Sequence, residues 1–331
     1  MLFGERRNLA ALSLALCALG LGAATVGLPL SEAAEPAQTA EPPQSPQPGT
    51  SSAAAPAADA SAASGAPAGA AVKPVDLEQY EKKVFSQFGE DGVIQKIFEI
   101  IQPTNKYCVE FGAYDGVAGS NMRNLILNHG WSSYQIEGQE SVAKKLAKNY
   151  EGFPQVKTAQ AWVWPGNIEI LFEEAGVPKD LDFLVIDIDS NDYYVWRVMH
   201  EFRPKVVMLE INPLFPPPQK MVIDFHPMNY WDGTDYAGAS MQSFYELGKR
   251  KGYEMIYQMK EGGNVFFVAK EYFPLFGIED NSPEKLFRPP ADWVKALDTS
   301  PQGRNGVPFD EKSRYLTYKD LKIEKKFIFD R

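Results

Sequence analysis

The sequence predicts an α/β protein built on a doubly wound, mostly parallel seven-stranded sheet with one antiparallel strand. Between residues 93 and 269, short apolar runs alternate regularly with helix-patterned segments. Such alternation is typical of βαβ units, whose connections place helices on both faces of a parallel sheet. The last two apolar runs are joined only by a short Glu261-Gly262-Gly263 turn, so they form a hairpin and supply the antiparallel strand.

Each element has its own signal in the sequence. Apolar residues at helical spacing (93, 94, 97, 98, 100 and 101) predict the first helix, and Ser120 or Asn121 can cap the second. Gly176 and Gly252 are positioned to end two later helices. The predicted helices are 93–101, 120–129, 140–150, 167–176, 192–202 and 240–251. The predicted strands are 107–111, 133–136, 156–163, 182–188, 205–211, 253–257 and 264–269.

Composition limits the function classes. The 331 residues are 44% hydrophobic and 23% charged, which suits one domain of about 200 residues with accessory segments. The formal net charge of −10 argues against a nucleic-acid-binding surface, because phosphate contacts require clustered Lys and Arg. Cys17 lies in an N-terminal apolar segment and Cys108 in the first predicted strand, so no disulfide framework is expected. The sequence makes no prediction of oligomeric state.

Residues 1–34 have the layout of a signal peptide or of an uncleaved membrane anchor. Arg6 and Arg7 precede an apolar stretch over residues 8–30, and small residues follow it. The stretch is also about long enough to span a bilayer. Under either interpretation the preceding positive charges place the rest of the chain outside the cytoplasm, in the periplasm or tethered to the membrane.

Three further regions follow the N-terminal segment. Residues 35–74 are rich in Ala, Pro and Ser and cannot bury a core, so they predict a disordered linker. Residues 75–280 are predicted to form the folded domain. Repeated prolines interrupt the pattern in residues 281–331, which we interpret as a C-terminal extension.

The first strand runs into a glycine turn, V-E-F-G-A-Y-D-G, over residues 109–116. Ligands of open α/β sheets bind outside the carboxyl ends of the strands, and a glycine turn there lets a nucleotide approach the backbone. Glu137 ends the second strand about 25 residues later, where a carboxylate can bind the hydroxyls of a ribose. The alternative is an ordinary strand-to-helix turn in which Glu110 and Asp115 compensate a helix dipole.

Several stretches together resemble one family. They are S-Q-F-G-E-D-G-V-I (86–94), V-E-F-G-A-Y-D-G (109–116), S-N-M-R-N-L-I (120–126), G-W-S-S-Y-Q-I-E-G (130–138), D-F-L-V-I-D-I-D-S-N-D (182–192) and N-V-F-F-V (264–268). The chain from 84 to 276 thereby resembles FkbM-like class I S-adenosylmethionine-dependent methyltransferases. The resemblance implies a Rossmann-like methyltransferase sheet and S-adenosylmethionine as cofactor. It also implies that Glu110, Gly112, Asp115 and Gly116 frame the methionine part of the cofactor, and that Glu137 binds the ribose. Tyr114, in the middle of the glycine motif, departs from the commonest pattern.

Oxygen-bearing side chains follow two neighbouring strands. Asp187 and Asp189 end the fourth predicted strand, and Glu210 and Asn212 end the fifth. Several such oxygens in one crevice suit Mg²⁺ or another divalent cation. The arrangement is similar by position to that of catechol-type O-methyltransferases. The alternative is that Asp192 caps the following helix and Asp187 binds the cofactor or the backbone.

Residues 213–238 interrupt the alternation with a long aromatic-rich segment. Its aromatic residues and histidine are Phe215, Phe225, His226, Tyr230, Trp231 and Tyr236. A segment of this length inside a compact domain is typically functional or disordered, and its aromatic residues suit either stacking on a sugar or burial. His226 is the histidine best placed for a catalytic base, since His129 and His200 fall in predicted helices. The catalytic residues predicted from the sequence are therefore Asp187, Asp189 and His226.

Two functions are compatible with these patterns. The first is an S-adenosylmethionine-dependent enzyme that O-methylates a saccharide or another small hydroxyl acceptor. The second is an exported, non-catalytic binding or cell-surface protein that reuses the fold, since fold alone does not determine function. The predicted export bears on the choice, because S-adenosylmethionine is made in the cytoplasm.

Overall fold

The computed structural model describes residues 73–227, 231 and 236–291. The predicted signal or anchor (1–34), nearly all of the linker (35–74) and most of the C-terminal extension (281–331) lie outside the described residues. Tyr230, one aromatic residue of the long segment, lies outside them too. Within the described part of the chain, no helix is both long and apolar enough to cross a membrane.

Strands and helices alternate as the sequence predicts. The strands are β1 (Tyr107–Phe111), β2 (Ser132–Glu137), β3 (Val156–Gln160), β4 (Phe183–Ile186), β5 (Val206–Glu210), β6 (Tyr253–Gln258) and β7 (Asn264–Ala269). The α-helices are α1 (Glu90–Ile101), α2 (Arg123–His129), α3 (Glu140–Asn149), α4 (Ile168–Ala175), α5 (Asp192–Val198), α6 (Met241–Lys251) and α7 (Pro283–Leu286). Two short 3-10 helices are also present, at Glu78–Tyr80 and Phe273–Phe276.

All seven strands belong to one sheet, in the order β3-β2-β1-β4-β5-β7-β6. Strand β7 runs antiparallel to both of its neighbours, and the other pairs are parallel. The predicted fold class and its single antiparallel strand are therefore confirmed. From β1 the chain builds outward through β2 and β3 on one side and through β4 and β5 on the other. The topological switch point thus lies between β1 and β4.

The sheet is buried on both faces, which explains the near-continuous apolar character of its central strands. Helices α4, α5 and α6 pack on one face through Phe172, Trp196 and Phe244. Helices α1, α2 and α3 pack on the other face through Ile97, Leu125 and Leu146. Because this core fixes the strands, the side chains at their carboxyl ends are presented from rigid positions.

Several elements are shorter than their sequence patterns predict. Helix α2 begins at Arg123 rather than at residue 120, and β4 spans Phe183–Ile186 rather than 182–188. Helix α5 ends at Val198 rather than at residue 202, because Met199 leaves the helical region (φ −67°, ψ 115°). The side chains of Met199 and Phe202 are both buried, so packing rather than helical propensity sets this end. Strand β3 ends at Gln160 rather than at residue 163. It lies at the edge of the sheet and pairs with β2, which itself ends at Glu137.

Candidate active site

The carboxyl ends of four strands lie side by side next to the switch point. The register aligns the last core residues of β2, β1, β4 and β5, which are Ile136, Phe111, Ile186 and Leu209. The residues that directly follow them are Glu137, Gly112, Asp187 and Glu210. Four predicted site positions from separate motifs are thus brought to one edge of the sheet.

Gly112 forms the point of closest backbone approach at this edge. Its φ is +80°, and a Cβ atom there would lie 1.5 Å from the Asp187 carbonyl oxygen. Only glycine fits both the left-handed conformation and this contact. The turn after β1 therefore packs directly on the end of β4, and Gly112 remains exposed on its outer side.

Gly116, the second glycine of the motif, is buried and packs against α3. A Cβ atom at this position would lie 2.6 Å from Leu146 Cδ1 and 2.4 Å from Tyr150 Cε2. Its carbonyl oxygen accepts hydrogen bonds from the Tyr150 hydroxyl (2.9 Å) and from Arg123 Nη1 (3.2 Å). Gly116 therefore packs the turn against α3, and unlike Gly112 it is not exposed at the edge of the sheet.

The two acids of the motif bind the chain that follows the turn. The Glu110 carboxylate is 3% exposed and accepts hydrogen bonds from Ser120 Oγ and from the backbone N–H and side-chain amide of Asn121, each at 3.3 Å. Burial raises the pKa of Glu110 to about 7. Asp115 Oδ1 accepts from the N–H groups of Val117 (2.9 Å) and Ala118 (2.8 Å). Both acids therefore fix the shape of the loop after β1.

Glu137 joins the tips of β2 and β1. Its Oε2 accepts a hydrogen bond from Tyr114 N (3.0 Å) and its Oε1 from Gln139 N (2.7 Å). Partial burial raises the pKa of Glu137. Tyr114 adopts a left-handed conformation (φ +50°) that is uncommon for a non-glycine residue. A carboxylate oxygen offers two acceptor positions, so Glu137 keeps acceptor capacity for a ligand.

An exposed tryptophan, which our sequence interpretation missed, lies beside Glu137. Trp162 follows the end of β3, and its side chain is 55% exposed. The Trp162 ring lies so close to Gly138 that a Cβ atom on Gly138 would approach it to 2.7 Å. The sequence signal that could have indicated Trp162 was a large aromatic residue shortly after a strand end. The glycine that it contacts, Gly138, directly follows the acid at the end of the neighbouring strand.

Asp187, Asp189 and Glu210 form an acidic cluster at the ends of β4 and β5. Each offers one carboxylate oxygen, and these oxygens all lie within 4.8 Å of one another. Burial is the largest cause of the raised pKa of each residue, and neighbouring carboxylates raise the pKa further. The pKa of Asp189 rises to about 7. No ion pair between described residues includes a member of this acidic cluster.

The backbone around the acidic cluster is strained and tightly held. Asp189 has φ +59°, a conformation that non-glycine residues adopt rarely and that is often found at functional sites. Asp192 accepts hydrogen bonds from Ile188 N (2.9 Å) and Ser190 N (2.8 Å). Asp192 therefore closes the loop that presents Asp189, a structural role close to the alternative that the sequence left open.

Asn212, the fourth predicted metal ligand, contacts the long segment after β5. It is 7% exposed, its Nδ2 donates to the Ala237 carbonyl (3.1 Å), and its Oδ1 accepts from Leu214 N (3.1 Å). These bonds tie together the two ends of the segment over residues 213–238. Its amide is thus engaged in holding that segment beside the acidic cluster.

The long segment also packs on α5. Its backbone carbonyls accept hydrogen bonds from Tyr194 Oη (at Ile223, 2.7 Å) and Asn191 Nδ2 (at His226, 2.9 Å). Phe225 packs edge-on against Tyr194, with ring centroids 5.4 Å apart. His226 is exposed and follows directly. Burial thus explains part of this segment, since Trp231 is only 7% exposed and Phe215, Phe225 and Tyr236 are half-buried.

An acid that our sequence interpretation also missed lies near Glu210. Glu90, at the start of α1, is fully buried, and its Oε1 accepts a hydrogen bond from Asn264 Nδ2 (2.8 Å). It is among the carboxylates that raise the pKa of Glu210. Its Oε2 accepts from Phe88 N (2.8 Å). The S-Q-F-G-E-D stretch is thereby joined to β7 at the same edge of the sheet.

No protein-family model matches the chain, and no curated protein matches it. The chain is similar to solved structures of methyltransferases. The N-terminal domain of EvdMO1, in the presence of SAH and D-fucose, is 12% identical with a TM-score of 0.38, over 54% of this chain and 82% of that one. The CurJ carbon methyltransferase is 9% identical with a TM-score of 0.37, over 59% and 58% of the two chains. Aeropyrum pernix fibrillarin with natively bound S-adenosyl-L-methionine is 12% identical with a TM-score of 0.35, over 50% and 67%. Similarity at this level bears on the fold alone.

Proposed function

We propose that this chain is an S-adenosylmethionine-dependent methyltransferase that acts on a hydroxyl group of a saccharide or another small acceptor. The observation that carries the proposal is the edge of the sheet at the switch point. There an exposed glycine turn lies between the Glu137 carboxylate and the acidic cluster. In open α/β sheets this is where ligands bind. The finer assignment to the FkbM-like group stays a prediction from the sequence motifs.

The residues on the β1–β2 side of this edge fit a nucleoside cofactor. Gly112 lets the backbone approach the ligand, Glu137 has acceptor capacity for ribose hydroxyls, and Trp162 offers an exposed aromatic face for the adenine. S-adenosylmethionine carries a sulfonium and an amino group, so carboxylates along the edge favour it electrostatically.

The acidic cluster fits a divalent cation. Three carboxylates this close repel one another unless a cation or protons neutralise them. Oxygen ligands of this kind suit Mg²⁺ or Mn²⁺, and a bound cation would lower the pKa of an acceptor hydroxyl. Asp187, Asp189 and Glu210 are the proposed ligands, and the engagement of Asn212 elsewhere leaves it a weaker fourth. His226, exposed on the segment beside this cluster, is the proposed base.

Export is part of the proposal, because Arg6, Arg7 and the apolar stretch over 8–30 have the layout of a signal or anchor. The same layout favours the second candidate function, an exported binding or cell-surface protein that uses the fold without methyl transfer. Cell fractionation tests the location: full-length protein found in the cytoplasm with residues 1–34 intact would contradict export. Binding of S-adenosylmethionine separates the two candidate functions.

The test of the proposed activity uses the purified full-length chain and S-adenosylmethionine with a radiolabelled methyl group. Monosaccharides and simple phenols serve as acceptors, with and without a chelator. We expect label on a hydroxyl-bearing acceptor, its loss in chelator, and its recovery with Mn²⁺. Asp189→Asn should lose this transfer, whereas Glu174→Gln, which removes an exposed carboxylate on α4, should not. Methyl transfer at full rate in excess chelator would contradict the proposed cation site. Absence of cofactor binding would contradict the proposed methyltransferase activity.

A further inference from the structure

A cavity lies at the opposite edge of the sheet from the candidate active site. Its volume is about 550 Å³, and it is bounded by the end of α5, the end of α6, the residues just before β5 and the first residue of β6. Five basic side chains line it: Arg197, His200, Arg203, Arg250 and Lys251. No carboxylate is among its lining residues in the described part of the chain. The protein has a formal net charge of −10, so this cavity is a local region of positive charge on an acidic protein.

The positive charge of the cavity is only partly compensated. Arg203 donates to both carboxylate oxygens of Glu271 (2.5 and 3.0 Å). Arg250 Nη2 instead donates to the neutral Tyr193 hydroxyl (3.1 Å), and Lys251 Nζ donates to the Met199 carbonyl. No ion pair between described residues includes Arg250 or Lys251. The cavity therefore holds two cations without a carboxylate in contact.

Lys251 distinguishes this cavity from an ordinary basic helix end. Basic residues commonly occupy the last turn of a helix, where they complement its dipole, and Lys249 does so while ion-paired to Glu254 on the surface. Lys251 is instead partly buried, and burial lowers its pKa to about 8 although Glu169 acts in the opposite direction. One of the three donors on Lys251 Nζ is used on the Met199 carbonyl, so two remain for an anion that enters the cavity.

The walls indicate the kind of anion. Trp196, Phe202, Leu247 and Tyr253 form a buried apolar floor, so the groups that can bind a ligand are the cations around it. Arg offers a fork of donors and Lys a point charge, which is the combination that proteins use for phosphate groups. We propose that this cavity is a binding site for a phosphate-bearing ligand, either a soluble phosphorylated molecule or an anionic lipid headgroup. The inference does not depend on the proposed methyl transfer.

Titration calorimetry of the full-length chain with inorganic pyrophosphate, in a buffer free of phosphate, tests the site. We expect one binding site whose affinity falls as salt increases, because the contacts are ionic. Lys251→Met and Arg250→Gln should each weaken binding by about tenfold, the typical effect of losing a charge-assisted contact. Lys249→Met, in the same turn but outside the cavity, should leave the affinity unchanged. Arg250 is exposed, so Arg250→Gln reports on the site even if Lys251→Met perturbs folding.

A second arm separates the two sources of phosphate. The chain is sedimented with phosphatidylcholine vesicles, with or without phosphatidic acid, in the presence and absence of pyrophosphate. Binding to the phosphatidic acid vesicles that pyrophosphate displaces would assign the site to a lipid headgroup. Binding of pyrophosphate without binding to the phosphatidic acid vesicles would assign the site to a soluble phosphorylated molecule. Equal affinity of Lys251→Met, Arg250→Gln and the parent, or no binding by the parent in either arm, would overturn the proposal.

Discussion

Replacing Gly112 by alanine should destabilise the protein through two separable effects. The first is the left-handed conformation (φ +80°), which costs an L-residue about 1–2 kcal/mol. Part of this is offset by about 0.4–1 kcal/mol, because alanine restricts the unfolded chain more than glycine does. The second is the overlap of the new Cβ with the Asp187 carbonyl oxygen at 1.5 Å. The Cβ is attached directly to the backbone and the carbonyl oxygen is part of it, so no flexible side chain can move away. Asp187 N also donates a hydrogen bond to the Phe111 carbonyl, which holds this part of the chain in place.

The overlap should add about 1–3 kcal/mol, the usual cost of forcing atoms into a packed region. We therefore expect Gly112→Ala to lower the free energy of unfolding by about 2–4 kcal/mol. Gly130→Ala is the matched control, because Gly130 also has a positive φ (+68°) but no atom lies within 4 Å of its added Cβ. That substitution should cost only about 1 kcal/mol.

Equilibrium unfolding in urea measures both variants against the parent. A lower midpoint with an unchanged slope reports lost stability without a change in the surface exposed. If Gly112→Ala and Gly130→Ala lowered the midpoint equally, the close approach of the β1 turn to the end of β4 would be refuted. The geometry on which the candidate site depends would then be wrong.

Three further predictions concern the carboxylates and the aromatic face of the site. The folded-state pKa of Glu110 (about 7) exceeds its ordinary value of 4.5, so the folded state holds the proton more tightly and stability should fall as pH rises between these values. The loss from this group is about 3 kcal/mol, and Glu110→Gln should flatten that part of a urea-midpoint profile against pH. Asp189→Asn should raise the melting temperature without metal, because one repelling charge is lost and Asn tolerates a positive φ. The same variant should lose the stabilisation by Mn²⁺ that the parent shows in a thermal-shift assay, and stabilisation equal to the parent's would exclude the acidic cluster as its site. Trp162→Ala should weaken binding of S-adenosylhomocysteine by about 1–3 kcal/mol with little change in stability, and unchanged affinity would remove Trp162 from the cofactor site.

The ends of several strands were predictable from local sequence patterns. Tyr107–Phe111 and Asn264–Ala269 match their predicted bounds, since glycines or polar residues close both apolar runs. Asp187 and Glu210 meet because β4 and β5 are neighbours in the sheet, as we expected for the fourth and fifth strands of a doubly wound sheet. The sequence therefore predicted the position of the acidic cluster, although the cation itself stays a prediction.

Other features depend on hydrogen bonds between distant parts of the chain. Glu90 and Asn264 are 174 positions apart, and no periodicity indicates that they bond. Asn212 looked equivalent to Glu210 from the sequence, but its amide binds Ala237 and Leu214 across the long segment. Helix α5 ended early because Met199 packs into the core. Local propensity does not carry such tertiary information.

Calorimetric titration of the full-length chain with S-adenosylmethionine, beside Glu137→Gln, tests the central claim most directly. A glutamine side chain keeps one oxygen acceptor, so it preserves part of the bonding to Tyr114 N and Gln139 N while removing the charge. We predict that the parent binds the cofactor at one site and that Glu137→Gln, which still unfolds cooperatively in urea, binds about tenfold more weakly. Absence of binding by the folded parent, with and without Mg²⁺, would contradict the account, as would equal affinity of the variant.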